Sequence, residues 1–574
     1  MALLDNLNKK LNKVFGGKVY AELKAGCLYL KGELSNWDDI VRAGLMSVNK
    51  KLYTVVNDIE CSGVKRCPAR IPKVASNMLE GERPDVLIIG GGIIGCSIAR
   101  ELTRYKLNVM LAEKEHDLAL HASGRNDGMI HPGLDLHRDQ LKKKYNDAGN
   151  RMYSQICKEL DVPYRYTGQY LCFTDNWLKP AAFASLLFWK LKGIPAEFVN
   201  RKALTKREPH LNQNVRFALF FPTAGIVCPY GLTIAYAENA ADNGAKISLD
   251  TAVLKMDVVN GKIKSVLTNH GRVFPKLVIN AAGVFAEEIA GMAKDRFFSI
   301  HPRSGTSMII DKKAGHLVQT IASPYSIFDA SAAKGAHSKG GGIIHTIDDN
   351  LLVGPNASET FEKENFSTDR KSIKMVLEKQ QKAVSELSEK DVITYFTGIR
   401  AATYEEDFII SFGKFTKNII HAAGIQSPGL TAAPAIAADI AKMTANYLNA
   451  EFNEHFNPIR AGIVRTADLP DDERNALIKE NPDYGVIICR CEEVSRGEVI
   501  AALRRSVPCD TVDGVKRRVR PGMGRCQGSF CSPQIAQIIA AEKKIPITEV
   551  KKMADNSYIL LCDNKERYTF KDYL

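Results

Sequence analysis

No uninterrupted apolar run in the 574 residues reaches the roughly 18 needed to cross a bilayer. No basic, apolar, small-residue leader opens the chain either. Both absences predict a cytoplasmic protein. Internal repeats and low-complexity segments are also missing, so neither a solenoid nor a polymer-like linker is expected. The thirteen cysteines are odd in number and scattered apart from one cluster, which argues against a disulfide framework in a reducing compartment. Concentrated basic runs are lacking too. The net charge of +13 is dispersed, with only short runs at 142–144 and 516–518, so nucleic acid is not expected as a partner and the charge serves solubility and attraction of small anionic substrates. What remains is ordinary globular composition, 45% hydrophobic and 25% charged, in a chain long enough for about three to four domains.

The informative stretch is 83–115, RPDVLIIGGGIIGCSIARELTRYKLNVMLAEKE. An apolar run ends in Gly90-x-Gly92-x-x-Gly95, continues as a helix to about Tyr105, and is followed by a second apolar run that stops at Glu113. Strand, glycine turn, helix, strand and acid is the order of a dinucleotide site. Gly90 permits the tight turn, Gly92 lets backbone approach a pyrophosphate, and Gly95 lets helix and strand pack. The helix N-terminus offers amides to the phosphates and Glu113 accepts from a ribose diol.

Before this motif, 1–70 reads as a small α/β module weakly similar to BON-type domains, which implies docking rather than chemistry. Its first helix carries Leu4, Leu7, Leu11 and Phe15 on one face opposite Lys9, Lys10 and Lys13. That face either packs on its own module or lies on a membrane surface, which would make the protein peripheral to the inner face of the membrane. A strand is expected at Cys27–Leu34, a helix over 38–50 and a strand over 53–59, then a proline-bearing linker at 71–83. Alternating helical and strand-like segments over 83–450 predict an α/β fold, a Rossmann-like domain with an inserted mixed-sheet substrate domain. A polar connector follows at 451–484, a compact cysteine-bearing module at 485–545 and a charged tail at 546–574.

Two distant segments choose the cofactor. KLVINAAG at 276–283 is a strand ending in small residues, Ala282 and Gly283, where chain can pass beside a phosphate or ribose. HAAGIQSPGLTAAP at 421–434 is a strand, a turn and a helix start. Gly424, Gln426, Ser427, Gly429, Leu430 and Thr431 there can lie against a flavin edge and aim a helix N-terminus at it. Together with ASGRNDGMIHPG at 122–133 and FTGIRAAT at 396–403, these motifs resemble the D-amino-acid-oxidase-like flavoproteins over about 83–450. Within them the chain is most similar to FAD-dependent glycerol-3-phosphate dehydrogenases and the related L-2-hydroxyglutarate oxidases. The resemblance implies non-covalent FAD, with Ser123, Arg125 and Asn126 among its contacts.

Oxidation of a secondary alcohol needs a base for the hydroxyl proton, and His131 in GMIHPG suits it because a neutral imidazole is abundant at pH 7. The resemblance places a histidine of this loop near flavin and substrate, either as base or as an orienting group. Arg400 in TGIR matches a family position where arginine faces an anionic substrate group. The alternative is an ion pair with Glu405, Glu406 or Asp407. Arg303 is a second anion contact and Ser427 a hydrogen-bonding group for substrate or flavin. Departures from the family pattern at Pro132 and at 302–305 leave the substrate open among glycerol 3-phosphate, a 2-hydroxy acid and an amine or imino acid.

Cys489-x-Cys491 and, 34 residues later, Cys526-x4-Cys531 offer four thiolates for zinc or for a 2Fe-2S cluster. The spacing resembles bacterioferritin-associated-ferredoxin-like domains, which implies the cluster. The same module ends the anaerobic glycerol-3-phosphate dehydrogenase large subunit. The expected circuit runs from substrate to FAD to cluster to an acceptor subunit or a quinone-linked acceptor, which favours a dehydrogenase over an oxidase. The rival from another class is an electron-transfer subunit with a vestigial pocket.

Overall fold

The computed structural model describes residues 2–49, 54–64, 68–134, 136–137, 139–325 and 341–562. The last residues of the expected charged tail, 563–574, lie outside it.

The nucleotide-binding core is a six-stranded sheet in the order Lys246–Ser248, Val109–Ala112, Val86–Ile89, Leu277–Asn280, Ile419–Ala423, Ile409–Phe412. Its first five strands are parallel and the last is antiparallel. Parallel strands are covered on both faces, which is why they read as continuous apolar runs rather than alternating ones. Val86 and Ile88 face the helices Ile93–Leu102, Leu141–Glu159, Pro229–Asp242 and Gly429–Leu448. Leu87 and Ile89 face a three-stranded antiparallel sheet, 253–273, and the helix Ala286–Met292. The glycine-turn helix ends at Leu102, three residues earlier than its pattern suggests.

The inserted domain is a nine-stranded mixed sheet. Its longest strands, Ile300–Ile310 and Val392–Thr403, pair antiparallel in a register that sets Arg303 directly opposite Arg400. Like charges facing each other across strands repel, so this pair needs compensation nearby.

The N-terminal module is built as expected, with small shifts of boundary. Helix Ala2–Phe15, an antiparallel pair Val19–Lys24 and Cys27–Leu34, helix Trp37–Met46 and the parallel strand Val55–Cys61 form it. Leu11 and Phe15 are buried, and Leu4 and Leu7 pack against the same core. The apolar stripe therefore packs on its own module, the first of the two expected placements. Among the described residues no helix is long and apolar enough to cross a membrane.

The connector 451–484 carries one helix, Asp471–Glu480, and leads to a hairpin and the helices Arg496–Leu503, Val512–Val519 and Ser532–Lys543. A separate core of Ile488, Val499, Val515, Ile535 and Ile539 holds this last module together. It docks on the larger body through buried charge. Asp117 accepts from Arg517 and Arg518 at 2.7 and 3.0 Å, and Glu238 from Arg460 and Arg505 at 2.6 and 2.7 Å. Burial alone would push the Asp117 carboxyl up, but the two guanidiniums outweigh it and hold it well below the usual range.

Candidate active site and cysteine cluster

One cavity of about 1150 Å³ runs from the glycine turn to the long strands of the inserted sheet. At its nucleotide end Gly90 has φ +115°, a conformation L side chains avoid, and a Cβ there would meet the Ala281 carbonyl oxygen at 2.5 Å. A Cβ at Gly95 would come within 1.9 Å of the Gly90 carbonyl, so Gly95 seats the helix on the strand from behind and does not line the cavity. Gly92 caps the helix, and the next amide, Ile93, donates to Ser123 Oγ at 2.8 Å. A Cβ at Gly92 would come within 2.9 Å of Ser123 Oγ, and both residues line the cavity at this turn. Gly92→Val is therefore expected to purify with flavin occupancy reduced severalfold or lost, read from the ratio of flavin to protein absorbance; full occupancy would refute the assignment.

Glu113 lines the same end and accepts the Gly91 N–H. Burial raises its carboxyl pKa, partly offset by His121 and Lys114. The loop over this end is tied by Asn126, which donates to the Ala122 and Ser123 carbonyls at 3.0 and 2.9 Å and accepts from Gly128 N–H at 2.9 Å. Arg125 donates to the Leu120 carbonyl at 2.9 Å and stacks over Phe366. Ala282 and Gly283 form the facing wall.

The middle of the cavity is bounded by Gln426, Ser427, Gly429 and Leu430, at the start of the 20-residue helix Gly429–Leu448. Thr431 and Gly424 stand behind them. The Thr431 hydroxyl accepts the His131 N–H at 2.9 Å, and Gly424, φ +66°, packs on Thr403. Asn150 donates to the His131 carbonyl at 3.0 Å, so the backbone of His131 is held on both sides while its Nε2 lies 3.3 Å from Ser427 Oγ.

At the far end the two arginines differ. Arg303 Nε donates to Glu359 at 2.8 Å and its Nη2 to Glu406 at 2.8 Å, so it is fully compensated. Arg400 donates to the carbonyls of Ser304 and Asn356 at 3.2 and 3.1 Å, and Asp127 on the same cavity attracts its charge. Of the three local acids weighed as partners for Arg400, Glu406 pairs with Arg303, while Glu405 and Asp407 accept backbone N–H groups of Val55 and of Leu141 and Lys142. Gly305 makes room for the guanidinium, since a Cβ there would lie 2.4 Å from Arg400 Nη2. Burial pushes Arg400 down to about 10, which leaves it cationic at neutral pH. Gln426, read from sequence as a cofactor contact, lines the cavity and donates from Nε2 to Glu406 at 2.5 Å. Lys142, Glu359, Asn356 and Glu406 are components that sequence spacing did not assign to the pocket; no local signal marks them, because they arrive from three separate segments.

The four module cysteines pair crosswise. Cys491 Sγ lies 3.6 Å from Cys526 Sγ. The neighbouring Cys531 thiol, with backbone N–H groups of Gly522, Glu492 and Cys491, draws the Cys489 thiol down to about 6. Tetrahedral zinc, with Zn–S near 2.3 Å, needs all four sulfurs about 3.8 Å apart. Here no three of the four sulfurs lie within 4.8 Å of one another: the one such set of His, Cys, Asp or Glu among the described residues is Glu115, His121 and Glu364, already paired with Lys114. Two close pairs held apart suit two irons, not one zinc ion.

A cavity that joins a glycine-turned helix N-terminus to a buried arginine on a second sheet has the layout of a dinucleotide-cofactor oxidoreductase. The chain belongs to the FAD dependent oxidoreductase family, DAO, whose sequence model matches residues 85–443, and residues 487–541 match the BFD-like [2Fe-2S] binding domain. It is 39% identical over 482 residues to glycerol 3-phosphate dehydrogenase of Caloramator mitchellensis, covering 83% of this chain and 98% of that protein. It is 31% identical to glycerol 3-phosphate oxidase of Mycoplasma genitalium, covering 65% of this chain and 96% of the other. Dithionite-reduced L-alpha-glycerophosphate oxidase from Mycoplasma pneumoniae with FAD bound superposes with a TM-score of 0.61 at 27% identity, covering 66% of this chain and 98% of that one. FAD and a 2Fe-2S cluster are thus the cofactors of this enzyme, and the glycine turn and the paired thiols are shaped for them.

Proposed function

We propose that the protein oxidises sn-glycerol 3-phosphate to dihydroxyacetone phosphate and passes the electrons through its cysteine module to an acceptor protein or quinone-linked acceptor. The observation that carries this reading is Arg400, a buried guanidinium in the cavity wall whose hydrogen bonds go to backbone carbonyls. Its planar fork matches a phosphate, and the similarity to two glycerol 3-phosphate enzymes favours that anion over a carboxylate. FAD supplies two-electron hydride acceptance and the 2Fe-2S cluster single-electron transfer.

The chain supplies the rest. Arg400 binds the phosphate and so sets the distance from anion to carbinol. His131 Nε2, on the same cavity and beside Ser427 Oγ, takes the hydroxyl proton as the carbon-bound hydrogen departs. Apolar wall residues Ile321, Ile344 and Leu171 limit water at the substrate end. Among the module cysteines Cys489 and Cys531 are buried while Cys491 is exposed, so the Cys491 and Cys526 side faces an incoming acceptor.

Anaerobic mixing of the holoprotein with sn-glycerol 3-phosphate, L-2-hydroxyglutarate, glycine and proline tests the assignment. Flavin bleaching by the first alone is expected, and bleaching by another compound in preference would overturn it. Arg400→Ala is expected to raise KM about 10- to 100-fold, since a hydrogen-bonded charge pair contributes about 1.5–3 kcal/mol. Arg400→Lys, which retains charge without the fork, should recover only part of that loss in steady-state assays.

A further inference from the structure

The N-terminal module has no part in the chemistry above, yet it is joined to the anion-facing wall through four consecutive residues, 404–407. We infer that the module is a positioning element for the substrate pocket, setting affinity for the anion by holding this turn. The inference rests on the reading of Arg400 and Arg303 as the anion-facing wall.

Tyr404, from the oxidoreductase domain, is 3% exposed and lies within the hydrophobic core of the N-terminal module, among Leu30, Ile40, Val41 and Ile59. Its hydroxyl accepts from Asn57 Nδ2 at 2.8 Å. Its ring lies on Gly44 of the helix Trp37–Met46, where a Cβ would come within 2.1 Å of Cε1. Glu405 accepts the Val55 N–H at 2.6 Å from the module's last strand.

The other side of the same turn builds the pocket. Glu406 takes Arg303 Nη2 at 2.8 Å, Gln426 Nε2 at 2.5 Å and Lys142 Nζ at 3.6 Å. Asp407 accepts the Leu141 and Lys142 N–H groups, both at 2.9 Å, and so fixes the start of the helix that carries Lys142. A second path leaves Tyr404 directly. Its ring stacks on His301 at 4.7 Å, His301 Nδ1 lies 2.9 Å from Glu359 Oε2, and Glu359 Oε1 accepts from Arg303 Nε at 2.8 Å. Both carboxylates that pair with Arg303 are thus placed by contacts that begin on the module.

Displacement of Tyr404 should therefore loosen Arg303 and Lys142 and weaken anion binding without touching the proton transfer at His131. Gly44→Ala tests this from the module side. Alanine is the better helix former, so a loss of function there comes from the contact with Tyr404 and not from the helix. In the full-length holoenzyme, KM for sn-glycerol 3-phosphate and the Kd of inorganic phosphate, read from flavin absorbance, are expected to rise together by about 3- to 30-fold while kcat changes by less than about twofold. Tyr404→Ala should do the same, and Tyr404→Phe, which keeps the ring on His301, should restore most of the affinity. Should Gly44→Ala not fold, Asn57→Ala removes the hydrogen bond to the Tyr404 hydroxyl, with those to the Ile40 carbonyl and the Ile59 N–H, and is read in the same way with a smaller shift. Unchanged KM and phosphate Kd with only a lower Tm would overturn the inference and leave the module as a structural appendage. A wild-type enzyme that ignores sn-glycerol 3-phosphate sinks the substrate assignment alone, because the phosphate titration still decides the role of the module. A wild-type enzyme that does not bind phosphate overturns both.

Discussion

Flavin reduction by substrate should slow about 100- to 10,000-fold in His131→Ala, the range that a positioned general base contributes. The histidine backbone is pinned by Thr431 and Asn150 independently of the ring, so removal of the imidazole should leave the loop and the flavin site in place. Loss of a base and loss of an orienting group then separate experimentally. For a base, stopped-flow reduction falls while substrate affinity and the flavin spectrum hold, and the pH dependence of the rate loses its histidine limb. For an orienting group, the flavin spectrum shifts and the rate falls little. An unchanged reduction rate would sink the base assignment.

Complete loss of electron delivery to the natural acceptor is the second large effect, expected from Cys491→Ser and from Cys526→Ser. These two are the better choice because Cys489 and Cys531 are buried in the module's own core, where substitution would disturb packing as well as ligation. The variants should retain FAD and still be bleached by substrate. Wild-type protein purified without oxygen should carry about two irons and two sulfides per chain and give a low-temperature EPR signal after dithionite. One equivalent of zinc and no signal would contradict the crosswise pairing of the thiols and remove the case for a dehydrogenase over an oxidase, since zinc has no accessible redox step.

The two sites were not equally legible. The nucleotide end could be read as a pattern, since Gly90, Gly92, Gly95 and Glu113 belong to one βαβ unit whose spacing carries its geometry. The anion end could be read only as a set of candidates. Arg303 and Arg400 look alike in sequence. Their difference comes from Glu359 and Glu406, which reach the pair from separate loops. The amphipathic first helix was ambiguous for the same reason, because periodicity reveals an apolar face and not what covers it.

Sequence by itself determined the cofactors: a strand, glycine turn, helix and acid for the dinucleotide, and four cysteines in two groups for a metal centre. Local backbone geometry dictates both patterns, and local geometry is written in short spacings. Only the tertiary structure decided that Cys491 lies beside Cys526, that Arg303 pairs with two carboxylates while Arg400 bonds backbone carbonyls, and that the N-terminal module is fastened to the pocket through Tyr404 and Glu405. Charge compensation and packing depend on distances between segments far apart in the chain, and those distances exist only once the sheets have formed and brought Arg303 opposite Arg400.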